Sequence, residues 1–318
     1  MENGATRKKL WIDCDAGVDD AQGLMLALAA PGVDVVGISI VHGNVDVTKV
    51  SKNVARILTL CDRQDIPYYV GADEPLLGQP MDASFFHGED GLGDVPSVAP
   101  AYDTLTLEPA AGIAAVKLSE AAQHWNGCLE VVAIGPLTNI ALACKLDQNF
   151  PKRVAALYVM GGAETRGNIS PTAEFNFHCD PEAAHLVLKK FHNTVMVTWD
   201  CTMAHALPWS LVDRWLETDT PKGRFANAAS KASVRLEKSR GYEGWVVCDP
   251  YAVAIACCSE VMMESKLLSC TIEVQGSALT RGQSVFDWNN ILGGKPNVQL
   301  VTKIDVDAFQ KLLFACVH

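Results

Sequence analysis

Residues 10–21, LWIDCDAGVDDA, place four carboxylates within eight positions: Asp13, Asp15, Asp19 and Asp20. Like charges a few ångströms apart repel, so such a cluster persists where a cation neutralises it or where a helix N-terminus receives some of the oxygens. Calcium is the natural candidate, because it accepts about six to eight oxygens from carboxylates, carbonyls and water and can leave positions for a ligand's hydroxyls. One such Asp would ordinarily be read as a helix cap; four together exceed what capping requires.

These carboxylates lie where a strand becomes a helix. The β-rich run Leu10–Asp13 precedes the amphipathic stretch Gly17–Ala29, and Val35–Ile40 followed by Val45–Cys61 repeats the pair. The alternation continues through Tyr68–Val70, a helix near Pro109–Trp125, a strand at Leu129–Ile134, a helix from Leu137, a strand at Val154–Val159, a helix at Pro181–Phe191 and a strand at Thr194–Thr198. This pattern predicts an α/β fold, a mostly parallel central sheet flanked by helices in a Rossmann-like open arrangement, as a single domain over residues 1–318. Ligands of open sheets collect at the carboxyl ends of the strands. Polar clusters follow four of them: Asp13–Asp20, Asn44, Thr138 with Asn139, and Met160–Asn176. The Gly-, Pro- and Asp-rich segment Gly71–Tyr102 exceeds ordinary connection length and is expected to border the site. Pro221–Gly244, a polar helical stretch ending in GYEG, is expected to form a mobile element over the pocket.

The first segment resembles the signature D-x-D-x-G-x-D-D of the nucleoside hydrolase family, inosine-uridine preferring type, at every position. Further segments match in order along nearly the whole chain: VHGN, HGEDGLG, GPLTN, MGGAETRGNISPTAEFNFHCDPEAA, CDPYAVA and TRGQ, the last near Thr280. The resemblance implies a calcium-dependent N-ribosyl hydrolase that cleaves ribonucleosides to ribose and free base, through an oxocarbenium-like transition state. By the same resemblance Asp15, Asp20, Asp249 and the backbone carbonyl of Thr138 would hold Ca²⁺. Asp15 would also deprotonate a calcium-bound water, with Asp13 behind the ligands. Asp19 and Asn44 would bind the ribose hydroxyls, together with Asn168, Glu174, Asn176 and Asp249. Met160 would face the sugar, and His87 occupies the family's histidine-glycine site as a candidate catalytic residue. Carboxylates and amides suit a ribose, whose hydroxyls both donate and accept, and such a site should reject 2′-deoxynucleosides.

Each of these residues also has a plainer reading. Asn44 and Asn168 follow glycines and suit turns, Glu174 suits a solvated surface, and His87 in a Gly-rich loop suits a structural role. Asp249 before Pro250 reads as an N-cap with Pro at the first helical position, and Met160 as core. In many family members a histidine that protonates the departing base precedes the late Asp-Pro; here the residue is Cys248, and the chain resembles the cysteine-bearing subgroup. Cys248 is a weak proton donor or a small apolar filler, while Tyr242 and Trp245 either stack on the base or pack. Two rivals stay open: a haloacid-dehalogenase-type phosphatase, which also opens on D-x-D, and a non-catalytic ribose or nucleoside sensor.

Composition narrows the field. With 37 acidic against 26 basic residues and a net charge of −11, the chain lacks the basic balance of a nucleic-acid binder. Although 49% of the residues are hydrophobic, no window is long and apolar enough to span a membrane. The start, MENGATRKKL, lacks a signal-peptide run, and the eleven cysteines are scattered singly, as reduced thiols would be, so a cytoplasmic location is expected. The family resemblance implies a homodimer or homotetramer.

Overall fold

The computed structural model describes residues 7–318. Most of the amino-terminal stretch read as lacking a signal sequence therefore lies outside the described residues. Six parallel strands, β1 (Lys8–Cys14), β2 (Val33–Ile40), β3 (Tyr68–Val70), β4 (Leu129–Ala133), β5 (Val154–Met160) and β6 (Thr194–Val197), stand in the order β3-β2-β1-β4-β5-β6. The strand Val298–Ile304 adds a seventh, parallel to β6, and Met262–Leu268 closes that edge antiparallel. This is the expected open, mostly parallel sheet.

The burial of β1 shows why it is central. Leu10 and Ile12 join one hydrophobic cluster, with the helices α1 (Val18–Ala29) and α2 (Val47–Leu60) and the helix Asp249–Cys257. Trp11, between them, joins the opposite cluster with Leu118, Ile140 and Val187. Alternate residues of a strand face opposite sides, so a run that is apolar throughout requires cover on both faces.

Strand order reverses between β1 and β4: the chain leaves β1 toward β2 and β3 and then returns to pair Lys9 with Leu129 and Asp13 with Ala133. In open sheets the binding crevice opens at the carboxyl ends of two such strands. Here those ends carry Asp13–Asp20 and Thr138–Asn139.

Some boundaries differ from the sequence pattern. The helix expected near Pro109–Trp125 spans only Ala114–His124, and the stretch expected over Pro221–Gly244 is a helix only to Ser239. Gly244–Trp245 instead pairs with Leu207–Pro208 as a short ribbon. Within Gly71–Tyr102 one short helix forms, Ser84–His87. Among the described residues all eleven cysteines are unpaired, and no helix is long and apolar enough to cross a membrane.

Candidate active site

Asp13, at the end of β1, is fully buried and acts as a strut. Its Oδ1 accepts from Asn139 Nδ2 at 2.8 Å and from the Ser39 hydroxyl, which itself accepts from Trp11 Nε1. Asn139 also donates to the Ile40 carbonyl and accepts from the Ala72 N–H, so one amide ties β1, β2 and the loop after β3 to the helix Thr138–Leu146. Burial, only partly offset by these bonds, pushes Asp13 up to about 7.

The turn into α1 is tight. Ala16 holds φ 34°, a conformation a side chain rarely adopts, with its carbonyl taken by Asn53 Nδ2. At Gly17 a Cβ would stand 2.5 Å from Asn44 Nδ2 and 2.6 Å from His87 Nδ1, so only glycine admits both neighbours.

This turn converges the carboxylates. Asp20 accepts from the N–H groups of Asp15 and Gly17, at 3.2 and 2.9 Å, and from Asn44 Nδ2 at 2.9 Å. The backbone N–H of Asn44 donates to Asp15 Oδ2 at 2.8 Å. Asp15 Oδ1 and Asp19 Oδ1 are buried without a hydrogen-bond partner, the latter 3.9 Å from His87 Nδ1. One oxygen from each of Asp19, Asp20 and Asp249 lies within 4.8 Å of the others. That trio differs from the expected ligand set by including Asp19 where Asp15 was expected; the bond from Asn44 holds Asp15 by its Oδ2.

Burial, then the neighbouring carboxylates, raise Asp15 and Asp249 well above the usual range and Asp20 with them. Such a site disfavours its own negative charge, and a hard cation relieves both the repulsion and the unpartnered oxygens. The donor set therefore fits an oxygen-liganded divalent ion. Thr138 contributes differently from a side-chain ligand: its hydroxyl donates to Asp180 Oδ2 at 2.7 Å and lies 3.1 Å from His42 Nε2.

A cavity of about 340 Å³ opens over these groups, and every residue expected to bind the substrate lines it, together with His87 and Cys248. Asp15, Asp20 and Thr138 are not part of its lining.

Glu174 is 2% exposed, against the solvated-surface reading. It caps the helix Phe175–Cys179, accepting from the N–H groups of Asn176 and Phe177 and also from Gly162, and burial still pushes it up to about 7. Asn176 donates through Nδ2 to the carbonyls of Ile134 and Met160, which leaves its oxygen uncommitted. Asn168 is exposed, and its side-chain oxygen accepts from the Phe175 N–H. Met160 is both core and cavity wall.

One local reading changes, and two gain detail. Asp249 is the first residue of its helix rather than the cap; Cys248 stands at the cap and makes no side-chain capping bond, which leaves the Asp249 carboxylate to the acidic cluster. His87 Nδ1 accepts the Val18 N–H at 3.0 Å, so its proton resides on Nε2, and burial lowers its basicity. Trp245 is 3% exposed and packs against Trp215, its rings 5.6 Å apart, while also touching the cavity. Cys248 Sγ is 3.8 Å from the Thr202 hydroxyl, and burial beside Asp19 and Asp249 keeps the thiol protonated. Tyr242 lines the cavity, and its carbonyl accepts from Trp209 Nε1. Thr280 lies off the cavity, and the adjacent Arg281 is paired with Glu182.

Sequence reasoning placed the stretch Pro221–Gly244 over the pocket but missed three side chains that the helix Pro221–Ser239 and its C-terminal cap bring to the cavity wall. Ser233, Glu237 and Arg240, at spacings of four and three residues, share one face and line the cavity. That polar stripe was the available signal.

Comparison with known proteins agrees with this geometry. Residues 10–311 match the family described as inosine-uridine preferring nucleoside hydrolase. A pyrimidine-specific ribonucleoside hydrolase of Salmonella paratyphi B is 32% identical, covering 95% of this chain and 96% of its own. The inosine-uridine preferring nucleoside hydrolase of Crithidia fasciculata is 31% identical over 96% of each chain. Among solved structures, an inosine-guanosine nucleoside hydrolase superposes with a TM-score of 0.86 at 30% identity, covering 98% of both chains. A plant nucleoside hydrolase superposes with a TM-score of 0.89 at 28% identity, again over 98% of both. A phosphatase reading accounts for none of this, and the chain belongs to the inosine-uridine preferring nucleoside hydrolases, enzymes that hydrolyse the N-ribosyl bond of nucleosides.

Proposed function

We propose that this chain is a calcium-dependent ribonucleoside hydrolase, with Asp15, Asp20, Asp249 and the Thr138 carbonyl as the cation's ligands. The observation that carries the reading is the acidic trio Asp19, Asp20 and Asp249, two of whose members line a cavity walled by amides and carboxylates suited to a ribose. When bound, the cation supplies charge neutralisation and lowers the pKa of a water.

The chain's own groups do the rest. Asp15 takes the proton of the attacking water. Asp19, Asn44, Asn176 and Asp249 orient the sugar hydroxyls, with Glu174 and Asn168 bounding the same wall and Met160 beneath it. His87 donates through Nε2 toward the cavity. The single chain of 318 residues acts as one domain, a reading supported by one sheet that uses strands from Lys8 to Ile304. It works as a homodimer or homotetramer, as the family resemblance implies, and in the cytoplasm, as its scattered reduced thiols suit.

A reducing-sugar assay over inosine, guanosine, uridine, cytidine and 2′-deoxyuridine, with and without chelator, tests the proposal. Ribose release from ribonucleosides, lost on chelation, restored by Ca²⁺ and nearly absent with the deoxynucleoside, is expected. Binding without ribose release would instead identify a sensor, and activity that survives exhaustive chelation would overturn the metal requirement.

A further inference from the structure

We propose that Glu237 is the catalytic acid of this chain, the group that hands a proton to the departing nucleobase, because a free oxygen of its buried carboxyl lies at the cavity wall shared with Cys248. The inference rests on the hydrolase reading above and adds a residue to it.

Glu237 is 2% exposed and lines the cavity, one helical turn beyond Ser233. Its Oε2 accepts the Val246 N–H at 3.0 Å, and Oε1 takes no hydrogen bond from the described residues. No Lys, Arg or His among them pairs with it. A carboxyl buried without an ion partner prefers its neutral, proton-bearing form. Burial pushes Glu237 up to about 8; the Val246 N–H opposes this, Asp19 adds to it and Arg240 opposes it. The titratable groups that share the cavity with it include Asp19 from α1, His87 from the helix Ser84–His87, Cys248 and Asp249 at the start of the helix Asp249–Cys257, Arg240 at the C-terminal cap of its own helix and Tyr242 just beyond. From the helix Trp209–Leu216 the acidic neighbour, Asp213, is bound by Lys238 at the surface.

Two other donors on the wall, His87 and Cys248, are less suited. His87 is a neutral imidazole whose Nδ1 is already occupied, so it can donate a hydrogen bond but has no proton to give up near neutral pH. The Cys248 thiol is directed at Thr202 and is held well above its ordinary pKa. A protonated carboxyl is the stronger acid by several units.

The step balances. The C1′–N bond breaks with its electron pair passing to the base nitrogen, and the Glu237 proton moves to the base. Water adds to C1′, losing its proton to Asp15. Proton return from Asp15 to Glu237 through solvent restores both groups, so nucleoside plus water yields ribose plus base.

Glu237→Gln separates this role from a structural one, since the amide oxygen still accepts the Val246 N–H while the ionisable proton is gone. On inosine and uridine kcat should fall by about 10²-fold or more. On p-nitrophenyl riboside, whose leaving group needs no proton, the loss should be less than about tenfold. The wild-type rate on nucleosides should decline on the alkaline side as Glu237 ionises, and the variant should lose that limb. Glu237→Ala, with its melting temperature measured alongside, checks that folding is not the cause. Retained nucleoside turnover in Glu237→Gln, or equal losses on both substrates, would overturn the assignment. A wild-type protein that releases ribose from neither substrate would overturn the hydrolase reading instead.

Discussion

Gly43 offers a way to displace the proposed general base without altering its chemistry. A Cβ at this position would stand 2.1 Å from Asp15 Oδ2, 2.9 Å from Asp15 Cγ and 3.0 Å from Pro136 Cδ. Carbon and oxygen approach to about 3.3 Å at closest, so in Gly43→Ala the carboxylate must retreat by roughly 1 Å. The retreat also strains the 2.8 Å bond it accepts from the Asn44 N–H, one residue along. A 1 Å misplacement of a reacting group costs on the order of 10²-fold in rate. Gly43 also holds φ 156°, a conformation side chains rarely adopt, so backbone strain adds to overpacking, and together they cost about 2–6 kcal/mol, a fall on the order of ten degrees in melting temperature. The expected result at saturating Ca²⁺ is therefore kcat on uridine or inosine lowered by about 10²-fold in a folded protein, with KM little changed. Steady-state kinetics with calorimetry on the same samples reads both quantities. A variant that folds normally and turns over within about threefold of wild type would show that Asp15 Oδ2 need not stand where it does, and the reasoning would fail.

Asp15→Asn at saturating calcium should lower kcat by at least about 10²-fold while nucleoside binding, followed by calorimetry, is largely kept; near-normal turnover would remove the base role. Cys248→Ala should cost less than about tenfold on natural nucleosides, and a large loss confined to poor leaving groups would return the acid role to the thiol. Stability of the metal-free protein should fall as pH rises. Asp13 and Glu174 are each raised to about 7 when folded, whereas unfolded carboxylates titrate near ~4, so the folded state holds more protons between those values. Chelated protein should melt at a lower temperature at pH 8 than at pH 5, and Ca²⁺ should restore most of the difference at pH 8. The opposite pH trend would contradict the sign of these shifts.

Much of the fold was legible because its signals are local. The apolar run of β1, the amphipathic period of α2 and the strand–helix alternation each occupy a few consecutive residues, and burial on both faces follows from the absence of polar alternation in Leu10–Ile12. The acidic signature was legible for the same reason: four like charges in eight residues are costly in any fold that brings them together. Even the helix that walls the cavity left a trace, the Ser233–Glu237–Arg240 stripe, which local sequence alone could not distinguish from a solvated face.

Tertiary structure decided what those signals meet. Asp13 reads as one more carboxylate until Ser39 and Asn139, the latter 126 positions away, take its oxygen and make it a strut. Asp249 reads as a helix cap until its carboxylate comes within reach of Asp19 and Asp20. Thr138 reads as a polar residue at a helix start until Asp180 and His42 engage its hydroxyl. The physical reason is shared. A side chain's type and its place on a strand or helix follow from its neighbours in sequence, but its burial, its partners and hence its charge state depend on groups brought beside it by strand order, and the reversal between β1 and β4 is set by pairings more than a hundred residues apart.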